Sequence, residues 1–115
     1  MESICKLKDI YKALYEFEAS FLQQNQITIN EGMILCLLGD GPQKAGVISV
    51  ECSLSTSRLS KVLANLEGKG YIIRTFGAND RRQVMVELTE KGEAKRCAIK
   101  QQQVCIPEAL SKLIE

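Results

Sequence analysis

Residues 46–88 read GVISVECSLSTSRLSKVLANLEGKGYIIRTFGANDRRQVMVEL, and this stretch decides the fold. It opens with a short helix, roughly Lys44 to Cys52, whose expected buried side is Val47, Ile48 and Cys52. Ser53-Leu54 makes a tight turn in which Leu54 plugs the space between two helices, and Ser55 is a favourable N-cap for the next helix. That helix, about Thr56 to Lys69, places Leu59, Val62, Leu63 and Leu66 at a 3-4 spacing suited to burial. Gly70 breaks it. Tyr71–Phe76 and Arg82–Leu88 then read as strands joined by a polar loop that ends in Asp80-Arg81-Arg82. Helix, turn, helix and a β-hairpin, in that order, form a helix-turn-helix followed by a wing, which points to a reader of double-stranded DNA.

The second helix of this unit carries the chemistry. Opposite its apolar stripe stand Ser57, Lys61, Ala64 and Gly68, flanked by Thr56, Arg58, Ser60 and Asn65. Small side chains and donors at one helix face suit entry into a major groove. Lys and Arg reach guanine acceptors or phosphates, and Asn65 can bind adenine or the backbone. A merely solvated polar face has the same composition, and the hairpin that follows favours the DNA reading. In the loop, a terminal arginine can enter a minor groove, with Asp80 as the ion-pair partner that directs it. Asp80 has no second carboxylate, histidine or nucleophile beside it, so catalysis is not expected.

Outward from this unit, Ile4, Leu7, Tyr11, Leu14 and Phe21 recur at heptad-like spacing over Ile4 to about Gln24. Ile10 and Phe17 widen the stripe. One long first helix is expected, packed either partly on a partner subunit or wholly within its own core. Gln23-Gln24-Asn25-Gln26 ends it. Asn30 offers an N-cap for a second helix with Glu31 in its first turn, where the helix dipole favours negative charge. Met33, Ile34, Leu37 and Leu38 form its apolar side, Cys36 reads as a small core thiol, and Gly39-Asp40-Gly41-Pro42 stops it. Past the hairpin, Thr89 caps a basic helix running from Lys91 to about Val104. Pro107 opens a last short apolar helix with Ala109, Leu110, Leu113 and Ile114.

With 115 residues, 45% of them hydrophobic and 25% charged, the chain fits one compact domain: a mainly α fold with a small β-hairpin wing (α+β). Within it, helices at about 1–24 and 90–115 flank the helix-turn-helix and wing at about 44–88. No run approaches the roughly eighteen apolar residues of a membrane span, and the N-terminus lacks the apolar stretch of a signal peptide. A cytoplasmic protein without a membrane partner is the expectation. Net charge is only +1, but residues 58–100 hold ten Lys/Arg against five Asp/Glu. Positive charge therefore gathers where phosphates would be met. Five cysteines (Cys5, Cys36, Cys52, Cys97, Cys105) without a Cys-x-x-Cys, and no histidine, argue against a zinc site or a disulfide scaffold. No metal or cofactor is expected, and no enzyme.

In combination these residues resemble the MarR family of bacterial winged-helix transcription regulators. The likeness runs from Ile48 to Gly92. Its motifs are Ile48-x3-Cys52-x-Leu54-Ser55, Ser57-Arg58-Leu59-Ser60-Lys61, Leu66-Glu67-x-Lys69-Gly70-Tyr71-Ile72-x-Arg74, Asp80-x-Arg82 and Leu88-Thr89-Glu90-Lys91-Gly92. The resemblance implies a homodimer joined through its first and last helices, with two recognition helices on a pseudo-palindromic operator. Ser55, Ser57, Arg58, Ser60 and Lys61 fall where the family contacts bases and phosphates, Arg82 where its wing arginine reaches the minor groove, and Asp80 where the holding carboxylate sits. Many relatives are repressors released by small phenolic effectors or by oxidants. Some oxidant sensors use a cysteine early in the first helix, so Cys5 is a redox candidate, with an ordinary thiol as the alternative. A winged-helix module for protein–protein contact, without DNA binding, is the other alternative. Two departures stand out: the C-terminus is shorter than usual in the family, and Ser49 replaces a common alanine.

Overall fold

The structure, a computed structural model, describes residues 2–77 and 83–102. The elements are α1 (Glu2–Asn25), α2 (Ile29–Leu37), a 3₁₀ turn (Leu38–Asp40), β1 (Gln43–Lys44), α3 (Ala45–Glu51), α4 (Thr56–Gly68), β2 (Ile72–Phe76), β3 (Val84–Leu88) and α5 (Glu90–Gln101). The fold is thus mostly helical with a small antiparallel sheet. The chain divides into two compact units, and the boundaries fall after Ile29 and before Gln102.

The first unit contains α1, which has two apolar faces. Ile10, Ala13 and Phe17 are half-buried and Phe21 is buried, with the Phe17 and Phe21 rings tilted at a centroid distance of 6.3 Å. Ile4, Leu7, Tyr11, Leu14, Tyr15 and Leu22 lie exposed. The helix ends where Gln26 takes a left-handed φ of 59° and its amide returns to the Leu22 carbonyl at 2.8 Å. Beside that end, buried Asn25 donates to the Phe21 carbonyl at 3.1 Å and accepts from Gln102 at 2.6 Å.

The second unit, Asn30–Gln101, closes over Ile34, Leu35, Leu38, Ile48, Leu54, Leu59, Leu63, Leu66, Ile72 and Val86, all buried. Each such side chain contributes about 1.5–3 kcal/mol relative to exposure. The sheet runs β1-β3-β2, all antiparallel, with Gln43 opposite Val86 and Ile72 opposite Leu88. The sequence pattern yields only the hairpin strands. The third is two residues long, too short for an alternation to be visible, and Lys44 belongs to it rather than to the helix that follows.

Several local expectations need correcting. The second helix starts at Ile29, so Asn30 lies inside its first turn and is not its cap. Cys36 is exposed and Leu35 takes the buried place, because Ile34, Leu35 and Leu38 share one face. Val47 is 42% exposed, leaving Ile48 as the one buried side chain of α3. Cys52 is half-buried, and burial, with the charge of Glu51 second, raises its thiol pKa. The extension of the fifth helix to Val104, the final helix from Pro107 and Cys105 lie outside the described residues. Among the described residues no helix is long and apolar enough to cross a membrane.

Candidate nucleic-acid interface

Local chemistry sets the position of α4. Between α3 and α4 the chain turns at Ser53, which takes a left-handed φ of 53°. Leu54, buried, anchors the turn to the core, and its amide donates to the Ser49 carbonyl at 3.0 Å. The Ser49 hydroxyl in return donates to the Leu54 carbonyl at 2.5 Å. Ser49 therefore fastens both polar groups of Leu54, which an alanine there cannot do. Ser55 caps α4, its Oγ accepting from the Arg58 amide at 3.2 Å. The hydroxyl proton of Ser55 stays available to a further acceptor.

Along α4, Leu59, Leu63 and Leu66 are buried and Val62 is half-buried, as the 3-4 spacing requires. The remaining positions from Ser55 to Asn65, namely Ser55, Thr56, Ser57, Arg58, Ser60, Lys61, Ala64 and Asn65, are all exposed. Among the described residues, the side chains of Arg58, Lys61 and Asn65 engage in no hydrogen bond or ion pair. The polar residues singled out on the recognition helix thus share one free surface. Asp80, Arg81 and Arg82 lie outside the described residues. The base of their hairpin is closed by the Gly77 amide donating to the Gln83 carbonyl at 2.8 Å.

The other end of α4 is tied down. Gly70, with φ +82°, forms the helix stop: its amide reaches the Glu67 carbonyl and that of Tyr71 reaches Leu66, both at 3.0 Å. This double bond is the Schellman pattern, which favours glycine at the left-handed position. Three cations then fasten the end. Lys69 pairs at 3.1 Å with Glu31 of α2, a carboxylate buried in the second unit. From β2, Arg74 pairs with Glu67 at 2.8 Å and holds that carboxyl below the usual glutamate range. From α5, Lys91 donates to the Lys69 carbonyl at 2.8 Å and lies 5.2 Å from the Tyr71 ring centre. Cations at a helix C-terminus also complement its dipole.

The N-terminus of α5 grips the same place. Thr89 is its cap, with Oγ1 accepting from the Gly92 amide at 3.0 Å and donating to the Gly70 carbonyl at 2.6 Å. Gly92 is buried so closely against Tyr71 that a Cβ would collide with the Tyr71 carbonyl, and it would lie 3.2 Å from Leu88. Arg96, paired with Glu93 at 2.6 Å, lies across Gly39. Cys97 hydrogen-bonds Glu93 at 3.5 Å, and Cys5 is an exposed free thiol on α1.

Sequence reasoning missed Glu31 and Lys91 as supports. A signal for Glu31 was present, since it shares the 3-4 spacing of Ile34, Leu35 and Leu38 and so belongs to the buried face. Lys91 gave none by periodicity, because its partner is a backbone carbonyl.

Residues 16–99 match the family described as transcriptional regulator SarA/Rot. Among curated proteins no sequence matches. Solved structures agree in fold. A MepR-like protein complexed with pseudoligands superposes with TM-score 0.81 at 22% identity, over 99% of this chain and 80% of that one. AbsC, a MarR family transcriptional regulator from Streptomyces coelicolor, gives 0.76 at 22%, over 95% and 84%. Reduced AbfR bound to DNA gives 0.79 at 25% identity, over 98% and 84%. Most of the chain, the described part of the wing and the clamped helix are therefore covered by one assignment: the protein belongs to the SarA/Rot family of transcriptional regulators and has the winged-helix fold of MarR-type regulators.

Proposed function

We propose that the protein binds double-stranded DNA in a sequence-specific manner as a homodimer and represses transcription by occupying a pseudo-palindromic operator. The observation that carries this reading is the unengaged polar surface of α4, from Ser55 to Asn65, on a helix held firmly at its other end. That surface is about 15 Å long, which suits a major groove about 12 Å wide. Arg58 and Lys61 supply charge-assisted contacts to guanine or phosphate, Asn65 a bidentate partner for adenine, and Ser55, Thr56, Ser57 and Ser60 short donors to the backbone. In the wing, Arg82 enters the minor groove, with Asp80 directing it and Arg81 on a phosphate. The solved DNA complex of AbfR, at 25% identity, supports the same partner here.

In this reading residues about 44–88 read DNA, and the helices at about 1–24 and 90–115 join two copies. Two-fold symmetry then spaces the half-sites by about 34 Å, one helical turn. An effector, a small molecule or an oxidant acting at Cys5, would release the operator. The test is selection of bound sequences from a random duplex library, followed by binding of the Arg82→Ala protein to the selected site. Two related half-sites about ten base pairs apart are expected, with Arg82→Ala weakening binding at unchanged melting temperature. Recovery of no preferred sequence, with no duplex binding even at low salt, overturns the proposal.

A further inference from the structure

Residues Ile4, Lys8, Tyr11, Tyr15, Glu18 and Leu22 of α1 follow one another in alternating steps of four and three, the spacing of a coiled-coil seam. All six are exposed: Ile4 is 67% accessible, Tyr11 70%, Tyr15 74% and Leu22 48%. The helix meanwhile buries a different face, through Ile10, Ala13, Phe17 and Phe21. Water contact at four large apolar side chains in one stripe is the condition that association removes. The order of charges within the stripe says which partner fits. Lys8 and Glu18 stand equally far from its middle, and so do Ile4 and Leu22, and Tyr11 and Tyr15.

We propose that α1 docks against α1 of a second copy of this chain, antiparallel, about a two-fold axis at the level of Ala13. Lys8 then meets the partner's Glu18, Tyr11 the partner's Tyr15, and Ile4 the partner's Leu22, and the symmetry makes each contact twice. A parallel, in-register pair would set Lys8 against Lys8 and Glu18 against Glu18. Repulsion at both levels therefore excludes it. A different protein would have no need of a stripe whose own two halves complement each other, whereas a second copy needs it. Leu7 and Leu14 flank the seam on one side and widen the apolar contact. The two Cys5 thiols come to lie at opposite ends, roughly 24 Å apart along the axis, so this interface forms no Cys5–Cys5 disulfide. The inference rests on the homodimer proposed above and assigns its register.

Sedimentation of the full chain over a range of concentrations tests it, with circular dichroism confirming that each variant is folded. The parent chain is expected to dimerise. Lys8→Glu and Glu18→Lys should each raise the dimer Kd about tenfold, and the double variant should return close to the parent value. A second measurement uses Lys8→Cys and Glu18→Cys in a chain whose five native cysteines are replaced by serine. Mixed together under a mild oxidant they should cross-link, while neither alone should. A dimer indifferent to the charge reversals, or one that cross-links Lys8→Cys with itself, overturns the register and leaves the homodimer standing. A parent chain that stays monomeric at about 100 μM, a concentration at which even a weak dimer forms, overturns both.

Discussion

The two ends of α4 are built on opposite terms. From Ser55 to Asn65 the outward residues are short, polar or cationic, and Arg58, Lys61 and Asn65 hold no partner among the described residues. From Glu67 to Gly70 nearly every polar group is committed: Glu67 to Arg74, Lys69 to Glu31, the Lys69 carbonyl to Lys91, and the Gly70 carbonyl to Thr89. A helix that must present donors at fixed positions needs rigidity, but rigidity obtained from its presenting face would use up those donors. Here the fastening is displaced to one end and shared among α2, β2 and α5. The difference teaches that stability and recognition can be separated along a single helix, so substitutions at the two ends should fail in different ways.

The largest effect is expected at the clamped end. Gly92→Ala places a methyl group against the Tyr71 carbonyl, a backbone atom held by the Thr89 amide at 3.0 Å. Neither side can give way cheaply, so unfolding free energy should fall by about 3 kcal/mol or more. Urea denaturation measures this, and an unchanged midpoint would show that α5 shifts freely and is no part of the clamp. At the free end, Arg58→Ala and Lys61→Ala should each cost about 1–3 kcal/mol in affinity for the selected duplex, with stability changed by no more than about 0.5 kcal/mol. If Lys61 touches a phosphate, the salt slope of binding falls by about one as well. A comparable loss of melting temperature would erase the contrast between the ends. Between these lies Glu31→Gln. Lys69 is 40% exposed and can turn to water, so the cost in stability should be about 1 kcal/mol. Its informative readout is affinity: a drop exceeding the stability loss would mean that the Glu31 pair aims the helix as well as holding it.

How much of this was legible beforehand follows the range of the interactions. The apolar spacing of Leu59, Leu63 and Leu66, the Ser55 and Thr89 caps and the Gly70 stop are local, and each could be read from a few neighbouring residues. Fold and recognition surface were accordingly visible. The clamp joins residues distant in sequence: Glu31 to Lys69, Lys91 to the Lys69 carbonyl, Gly92 to Tyr71. Such contacts follow from tertiary placement, which spacing alone does not encode. Ser49 illustrates the boundary. It looked like a mild departure from alanine, and only the turn geometry reveals its hydrogen bond to the Leu54 carbonyl. Val47 and Cys36 were misplaced for a related reason: short helices of seven and nine residues give too few turns to fix which face is inward.

The smallest effect concerns acid. The Glu67 carboxyl is held below the usual glutamate range, chiefly by the hydrogen bond from Arg74 and then by that residue's charge, with burial opposing. The Arg96 hydrogen bond does the same for Glu93, with burial again opposing and Cys97 adding a weaker bond. A carboxyl whose folded pKa lies under its unfolded one contributes stability above the unfolded value and loses it as the pH falls through the folded value. Stability should therefore stay level from neutrality to about pH 5 and then decline towards about pH 3. Both carboxylates face solvent, so the decline should be shallow and should shrink further in high salt. Glu67→Gln should lower stability slightly at neutral pH and flatten the acid limb, because the group that titrates is gone. Glu93→Gln should do likewise, although that pair fastens α5 and not the recognition helix. Urea midpoints measured across this range separate the two. An acid limb as steep in both variants as in the parent would assign the loss to other carboxylates, and the Arg74 tie would then hold the clamped end through geometry alone.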